Sequence, residues 1–360
     1  MKVFSASSLA LLALLAPGAL AASSWAGANN YYAFNLPDDD RHTLLDAMQS
    51  AGMKVLRTFG GLPANVKNSG NPGVPDLEAD GFGQWNDKVL TQIDQLMVDA
   101  QARGIKLLIA LHGGENSLDG TSQNSVPDVY GTQYHSQGFY TNEAAIEHFN
   151  TRITHILNGH NNTLVDGKPW SELSDYIFGF EAQNEPMIKE PSSFYQENLS
   201  WICKTASQIR NNVGNKNQLI LTGGGNAGAS VQSLFFGSSC ADIDVVAIHD
   251  YTDGYDSYMK NAVSSAQSAG KKLLVEEWGS AYSSDDSSRI SNMKSNVDKI
   301  NSYGVPWMYW EPIPGTDPHQ KEDFEVQVNG GDDWTTLVSS AKDTRKVDSP
   351  FDFSASLPPS

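Results

Sequence analysis

The chain has 360 residues, with 42 acidic against 24 basic side chains and a formal net charge of −18. A surface of this charge repels nucleic acid and anionic membranes, so we expect neither as a partner, and a neutral substrate fits better. The hydrophobic fraction of 39% and the aromatic fraction of 10% are enough to fill a sizeable core. A chain of this length suits one large domain.

The N-terminal residues have the pattern of a secretory signal peptide. Lys2 supplies the positive charge, an apolar run extends from Leu9 to Leu20, and Ala19-Leu20-Ala21 is a cleavage site of the A-x-A type. The run is shorter than the roughly 20 residues that a membrane span needs. We therefore expect a signal peptide over residues 1–21, rather than a membrane anchor, and a secreted, extracellular protein.

Two further features agree with export. Asn161-Asn162-Thr163 and Asn198-Leu199-Ser200 are sequons for N-glycosylation at Asn161 and Asn198. The only two cysteines, Cys203 and Cys240, form an even pair, which in an oxidising compartment favours one disulfide. Two buried free thiols are the alternative, and the surrounding residues do not indicate zinc.

A short apolar strand, a loop and an amphipathic helix recur along the chain. The predicted strands cover residues 25–30, 53–59, 106–111, 176–182, 218–222, 244–248, 272–275 and 305–310. The predicted helices cover residues 38–49, 87–103, 142–157, 193–213, 231–236, 257–269, 286–303 and 334–342.

Eight such units in one domain predict an α/β fold, a (β/α)8 TIM barrel over residues 22–345. The strands are apolar on both faces, as buried parallel strands must be. A doubly wound open sheet is the alternative. We expect the C-terminal tail, 346–360, to wrap the surface.

Polar and aromatic residues follow nearly every predicted strand, at the end where such barrels carry their chemistry. Glu185 follows strand four and Glu277 follows strand seven, and two acids that flank a sugar linkage are the apparatus of glycoside hydrolysis. One acid must be protonated and the other ionised, and a nearby guanidinium favours the ionised state. The residues at these ends are Asn29, Asn30, Arg57, His112, Asn184, Glu185, Asn226, His249, Tyr251, Glu276, Glu277 and Trp310.

Two motifs, Asn184-Glu185-Pro186 and Glu277-Trp278-Gly279, resemble the signature pair of the clan of retaining glycosidases with eightfold barrels. Within that clan the chain most resembles glycoside hydrolase family 5, and its fungal β-mannanase-like members in particular. The similar segments span nearly the whole mature chain and read AGANNYYAF, VLRTFG, FEAQNEP, AIHDY, VEEWG and MYW.

The resemblance implies that Glu185 is the general acid/base and Glu277 the nucleophile. It also implies that Arg57 and Tyr251 hold Glu277 ionised, and that Asn184 binds the 2-hydroxyl of the sugar. His112, His249 and Trp310 would line the subsite of the reacting sugar.

Glu276 and Glu277 are neighbours in one strand, so we expect them to point to opposite sides of it. Only one would then face the site. The position directly before Trp-Gly is the predicted nucleophile, which makes Glu276 a structural, paired acid.

The resemblance implies a mannan endo-1,4-β-mannosidase that acts on a neutral polysaccharide. We expect no cofactor or metal, and a monomer. Two segments depart from the mannanase pattern, namely 57–61 and His112-Gly113-Gly114-Glu115, and the second is closer to the glucanases of the family. A β-glucanase acting on 1,4, 1,3 or 1,6 linkages is therefore the alternative. An inactive carbohydrate-binding barrel is a further one, although such a relative normally lacks one of the two acids.

Two other features have competing interpretations. The segment 223–228 matches the G-x-G-x-x-G pattern of dinucleotide sites, but no full helix follows it, so a tight loop near the cleft is the better interpretation. The long stretches 60–84, 113–140 and 311–332 carry or adjoin aromatic residues that either form sugar subsites or pack as local cores. These residues are Trp85, Tyr130, Tyr134, Phe139 and Tyr140.

Overall fold

The computed structural model describes residues 22–60, 75–119, 127–214, 217–282, 286–318, 320–321 and 323–359. The predicted signal peptide lies outside these residues, as do parts of the long stretches 60–84 and 113–140. Within the described ranges, no helix combines the length and the apolar character that crossing a bilayer requires.

Eight parallel strands close into a barrel in which each strand pairs with its neighbours in chain order and the last pairs with the first. This confirms the predicted (β/α)8 architecture and excludes the open sheet. The strands are β1 (Ala26–Asn29), β2 (Val55–Phe59), β3 (Lys106–Ala110), β4 (Ile177–Glu181), β5 (Leu219–Leu221), β6 (Val245–His249), β7 (Lys272–Trp278) and β8 (Trp307–Tyr309).

Ten α-helices lie within the described residues. The predicted helix over 193–213 is two helices in the structure, and the stretch 113–140 contains two helices that the sequence did not predict. The helices are α1 (Asp38–Ala51), α2 (Lys88–Gln101), α3 (Glu115–Asp119), α4 (Val129–Thr141), α5 (Glu143–Thr154), α6 (Ser192–Asn198), α7 (Ser200–Val213), α8 (Met259–Ala269), α9 (Asp286–Ser302) and α10 (Asp332–Thr344).

Apolar burial on both sides of each strand holds the barrel together. All five residues of β3 are buried, as a parallel strand between a filled interior and a layer of helices must be. On α2, the side chains of Val89, Ile93, Leu96 and Met97 recur at helical spacing and are all buried. Each such side chain contributes roughly 1.5–3 kcal/mol by leaving water.

Strand β7 is longer than predicted and carries an irregularity that bears on the site. Its pairing with β6 joins Val275 to Ile248 and then Glu277 to His249, so one residue of β7 is unpaired between them. An extra residue of this kind rotates the strand locally and changes the direction of the side chains that follow.

The C-terminal tail packs against the N-terminal end of the barrel. Residues Asp348–Ser349 pair antiparallel with Ala22–Ser23. The buried ring of Phe353 lies 5.5 Å from Trp25 and 5.9 Å from Phe178. The tail therefore covers the end of the barrel opposite to the strand ends that carry the polar residues.

The two cysteines and the two sequons are all described. Cys203 and Cys240 form a disulfide with Cα atoms 4.9 Å apart. Asn161 is exposed, whereas Asn198 is half-buried and its amide donates to the carbonyl of Phe194. Glycosylation at either position stays a prediction.

Candidate active site

The guanidinium of Arg57, at the end of β2, is the centre of the polar cluster and is fully buried. It donates to Glu277 Oε1 at 2.5 Å and to Asn184 Oδ1 at 2.7 Å. On its other edge it donates through Nε to Glu181 Oε1 at 3.0 Å, and Nη1 also donates to Asn29 at 3.2 Å. Its orientation is therefore fixed by residues from the ends of three other strands, β1, β4 and β7.

Glu277 is buried and is approached by three donors. Besides Arg57, the hydroxyl of Tyr251 donates to its Oε2 at 2.8 Å, and Nδ1 of His249 lies 3.3 Å from the same oxygen. Burial raises the pKa of the Glu277 carboxyl, and the charges of His249 and Arg57 oppose this rise. Burial outweighs these charges, so the pKa lies above its ordinary value, and the three donors are placed to stabilise a negative charge on the carboxylate.

Glu185 lies at the turn that follows β4, in a backbone conformation with φ of 45°. Its backbone N–H donates to the carbonyl of Gly223 at 2.8 Å, and its Oε1 lies 2.9 Å from Nδ1 of His249. Burial raises the pKa of Glu185, but the hydrogen bond and the charge of His249 outweigh this and lower it. Because Glu185 and Glu277 contact the same imidazole, they titrate as a pair.

His249, the last residue of β6, bridges three acids. Its Nε2 lies 2.9 Å from Glu276 Oε2, while Nδ1 faces Glu185 and Glu277. Burial lowers the pKa of the imidazole, but Glu277, Glu185 and Glu276 together raise it to about 10. His249 is therefore an imidazolium at neutral pH, placed between the two predicted catalytic carboxyls.

Both acids of strand seven contact the polar cluster, which the expected alternation of side chains along a strand did not predict. Glu276 is fully buried and reaches both His249 and Arg57, the latter at 3.7 Å, while the next residue, Glu277, contacts the same two groups. The irregular pairing of β7 explains this, because it breaks the strict alternation of side chains at this point. Glu276 is a paired acid, as expected, but within the cluster.

Glu181 is a member of the cluster that the sequence analysis missed. It is fully buried at the end of β4 and shares Arg57 with Glu277. The sequence feature that could have identified Glu181 is its position inside an apolar strand, four residues before Glu185. An acid in such a strand needs a buried partner.

The glycine-rich segment packs beneath the site. Gly223 and Gly224 both have positive φ, and a Cβ on Gly224 would lie 2.1 Å from Nε2 of His249. A Cβ on Gly223 would lie 2.0 Å from the carbonyl of Gln183. Glycine is therefore required at both positions for the close backbone approach to Gln183 and His249, in agreement with the tight-loop interpretation.

His112 occupies a different environment from the predicted one. Its ring is buried and stacked on Phe139, and Nε2 lies 2.8 Å from Asp128. Nδ1 lies 3.0 Å from the amide nitrogen of Gln183 and accepts from Gly114 N–H. Both ring nitrogens therefore have hydrogen-bond partners, and a role of His112 in the sugar subsite stays a prediction.

Most of the loop aromatics form a local core rather than a surface for sugar. Tyr130, Phe139 and Tyr140 are buried and pack together with Phe149 and Trp201. Tyr134 is partly buried near Phe82, and Trp85 stacks on His155 with ring centres 4.2 Å apart.

Trp310 lies at the same end of the barrel as the polar cluster. It is half-buried just after β8, and Tyr31 lies parallel to it with ring centres 5.6 Å apart. Asn30 is buried and donates to the carbonyl of Pro312, and exposed Asn226 forms a backbone bridge to His249.

Glu185, His249 and Glu277 each offer one atom to a group whose members all lie within 4.8 Å of one another. Elsewhere in the described ranges no three His, Cys, Asp or Glu side chains come as close in a way that would suit a metal ion. The hydrogen bonds above already account for this proximity, so we assign proton chemistry, and no metal, to the group.

The chain is similar to fungal mannanases in sequence. Mannan endo-1,4-beta-mannosidase F of Aspergillus fumigatus is 25% identical over 343 residues, which cover 88% of this chain and 73% of that protein. Mannan endo-1,4-beta-mannosidase A of Podospora anserina is 28% identical over 282 residues, which cover 72% of this chain and 70% of that protein.

Solved structures show the same fold, and a family model covers most of the chain. The endo-1,4-beta-mannanase of Rhizomucor miehei superposes with a TM-score of 0.67 at 22% identity, over 90% of this chain and 95% of that one. The model described as cellulase (glycosyl hydrolase family 5) matches residues 19–314. The chain therefore belongs to glycosyl hydrolase family 5 and is a glycosidase.

Proposed function

We propose that the protein is a retaining glycosidase that cleaves β-1,4-linked mannan internally, with Glu277 as nucleophile and Glu185 as general acid/base. The separation of the two carboxyls carries the proposal, since one oxygen of each lies within 4.8 Å of the other. Retaining enzymes hold their two carboxyl groups about 5–5.5 Å apart, whereas inverting enzymes leave room for a water between them.

In the first step, a Glu277 oxygen attacks the anomeric carbon and forms a glycosyl ester. The bond from that carbon to the leaving oxygen breaks, and Glu185 gives its proton to this oxygen. In the second step, Glu185 takes a proton from water, the water oxygen bonds to the anomeric carbon, and the ester breaks to release Glu277.

The proton of the acid pair belongs on Glu185 in the substrate complex. Glu277 is approached by three donors, whereas Glu185 has His249 alone and a side chain that is 25% exposed toward the cleft. A sugar oxygen beside Glu185 accepts a hydrogen bond only from the protonated acid. Binding of substrate therefore favours the protonation state that the reaction needs.

Two residues fit the sugar itself. Asn184 Oδ1 accepts from Arg57, which directs the amide NH₂ group toward the cleft as a donor for the 2-hydroxyl. That contact strengthens at the transition state of such reactions. The half-buried face of Trp310 offers a platform for a sugar ring.

Mannan is the proposed polymer because the fungal relatives are named as mannan endo-1,4-beta-mannosidases over most of this chain. A β-glucanase is the second candidate. Support for it is weaker, since the endoglucanase MaCel5A of Microbulbifer is similar over only 32% of this chain. His112, which belongs to the segment that is closer to the glucanases, is buried and bonded to Asp128.

A panel of polysaccharides tests the proposal. The protein is incubated with β-1,4-mannan, carboxymethyl-cellulose, β-1,3-glucan and β-1,6-glucan, with the Glu277→Ala variant as a matched control. We expect mixed oligosaccharides from mannan with the wild type alone. Products from a glucan and none from mannan would show that the glucan is the substrate. No product from any polymer would favour a binding protein.

We also propose that the protein is secreted and acts as a monomer. The N-terminal pattern and the polymeric substrate support secretion. In the part of the chain that the structure describes, Leu164 is the one large hydrophobic side chain that is exposed, which leaves little apolar surface for self-association. N-terminal sequencing of the exported protein and its elution volume on size-exclusion chromatography test these two points.

A further inference from the structure

Two carboxyl groups lie next to the reaction centre and take no part in the reaction above. Glu181 ends β4 and Glu276 lies in β7, and both side chains are fully buried. Each faces the same cation, with oxygens 3.0 Å and 3.7 Å from Nε of Arg57. Their placement behind Arg57 and His249 suggests that they act on the catalytic residues without touching substrate.

The charges of the cluster limit how many of its acids can be ionised. Arg57 and His249 supply two positive charges, and four acids face them, namely the two catalytic carboxyls together with Glu181 and Glu276. Glu277 must be ionised for attack and Glu185 protonated for proton donation. A buried cluster is stable when its charges are compensated, so one further negative charge, and not two, balances the site.

The hydrogen bonds indicate which acid keeps its proton. Among the described residues, Glu181 Oε2 and Glu276 Oε1 are buried without a hydrogen-bond partner, and both carboxyl groups face Nε of Arg57. A hydrogen bond between these two oxygens would satisfy both of them. Such a bond requires a proton on one of them. Glu276 receives Nε2–H of His249, which favours its ionised form.

Burial acts on the two acids with different results. Burial raises the pKa of Glu181 far above its ordinary value, because the opposing charge of Arg57 is shared with other acids. Burial also raises the pKa of Glu276, but Arg57 and the hydrogen bond from His249 outweigh it and lower the pKa. Both directions agree with a proton on Glu181.

We propose that Glu181 and Glu276 share one proton in a buried acid pair, in which Glu181 donates to Glu276 and the pair positions Arg57 and His249 for catalysis. Glu181 Oε1 accepts from Nε and Nη2 of Arg57, which turns Nη1 toward Glu277. Glu276 accepts from Nε2 of His249, which turns Nδ1 toward Glu185. Both acids are positioning residues, and their assignment rests on the proposed roles of Glu185 and Glu277.

Matched amide variants test the pair. Glu181→Gln keeps a donor toward Glu276 and an acceptor toward Arg57, so kcat/KM should fall by less than it does in Glu276→Gln. Glu276→Gln removes the negative charge from His249, so the pKa of His249 should fall and kcat should fall by at least about tenfold, with KM little changed. The pKa of His249 is followed by NMR of the imidazole in both variants and in the wild type.

A direct readout needs no activity. In protein labelled with ¹³C at the glutamate side-chain carboxyls, one signal should keep the chemical shift of a protonated acid at neutral and mildly alkaline pH, and it should be absent from Glu181→Gln. The proposal is overturned if no wild-type signal has the shift of a protonated acid at neutral pH. It is also overturned if the protonated signal disappears in Glu276→Gln and persists in Glu181→Gln. Burial also raises the pKa of Glu311 far above its ordinary value, so the signal of Glu181 is identified by its absence from Glu181→Gln. Glu181→Asp, whose signal leaves the glutamate spectrum, serves the same purpose if Glu181→Gln fails to fold.

The two proposals fail separately. An inactive wild type with the protonated signal would contradict the glycosidase mechanism and leave the acid pair intact. An active wild type in which both acids are ionised would contradict the pair alone. A loss of activity in Glu181→Gln as large as that in Glu276→Gln would also contradict it.

Discussion

Glu185 and Glu277 present carboxylate oxygens within 4.8 Å of each other, although 92 positions separate them in the chain (277 − 185). The closure of the barrel brings them together, since β4 and β7 end at the same rim. His249 lies between them. Of the two acids, Glu277 is the one that accepts hydrogen bonds from Arg57 and Tyr251. The two acids are therefore chemically distinct despite their proximity.

Removing the nucleophile gives the first prediction. Glu277→Ala should abolish hydrolysis, because the carboxylate that attacks the anomeric carbon is removed. Added azide should restore turnover of an activated aryl glycoside by occupying the vacated space, and the glycosyl azide should have the inverted configuration. Product configuration is read by NMR.

The neighbouring acid is the matched control for that experiment. Glu276→Ala should not be rescued by azide, since Glu276 is fully buried behind His249. Rescue with inversion at Glu276, and none at Glu277, would mean that the nucleophile is misassigned.

Close packing under His249 gives the second prediction. In Gly224→Ala, the new methyl group would lie 2.1 Å from Nε2 of His249, at a backbone φ of +77°. Displacement of the imidazole by about 1 Å should lower kcat/KM by roughly 100-fold. The measurement is steady-state kinetics on a soluble mannan oligosaccharide.

Gly225→Ala is the control, because its Cβ would meet no atom closer than 3.7 Å and its φ is not positive. This variant should keep near-normal activity. Equal losses in the two variants would contradict the specific contact with His249.

The charge of His249 predicts a dependence of stability on pH. The folded-state pKa of about 10 exceeds the value near 6.5 of an unfolded chain. A raised pKa means that the contribution to stability is complete below about pH 6.5 and is lost as the pH rises through about 10. The free energy of unfolding should therefore decline over this window, by an amount on the order of a few kcal/mol.

Urea denaturation at a series of pH values measures this slope. In His249→Gln the decline between neutral and alkaline pH should be much shallower than in the wild type. The same slope in both proteins would show that His249 is not charged in the folded state.

The disulfide is predicted to affect the stability of the protein and to leave its activity unchanged. Cys203 and Cys240 close a loop with a sequence separation of 37. Replacing both with serine should lower the free energy of unfolding by about 4 kcal/mol, mainly by loosening the unfolded chain. Activity at low temperature should be unchanged, because the bond joins α7 to the loop before β6, away from the catalytic carboxyls. A variant with wild-type stability would contradict the prediction.

The fold was predictable because eight apolar runs alternate with amphipathic helices, and each run ends in the barrel within about two residues of its predicted bounds. The exception is β7, where the strand continues through Glu276 and Glu277. The sequence analysis ended this strand at residue 275 because two acids follow. Acids are tolerated in a buried strand only when they have partners, and these partners cannot be identified from the sequence.

The principal site residues were predictable from their position after strands, but their partners were not. His112 has the same residue type and a similar position to His249, yet it packs among aromatics on the segment 127–154, which the sequence analysis treated partly as loop. Glu181 was missed because it lies inside a strand, whereas the sequence analysis considered residues that follow strands. Both differences arise from contacts between residues far apart in the chain.

The most direct test of the central claim is the configuration of the first product. Proton NMR follows the anomeric signals while the wild-type enzyme cleaves a β-1,4-mannan oligosaccharide, before the reducing ends equilibrate. Two carboxyls that react by double displacement should yield the β-anomer first. First release of the α-anomer would mean that a water attacks directly and that Glu277 is not a nucleophile.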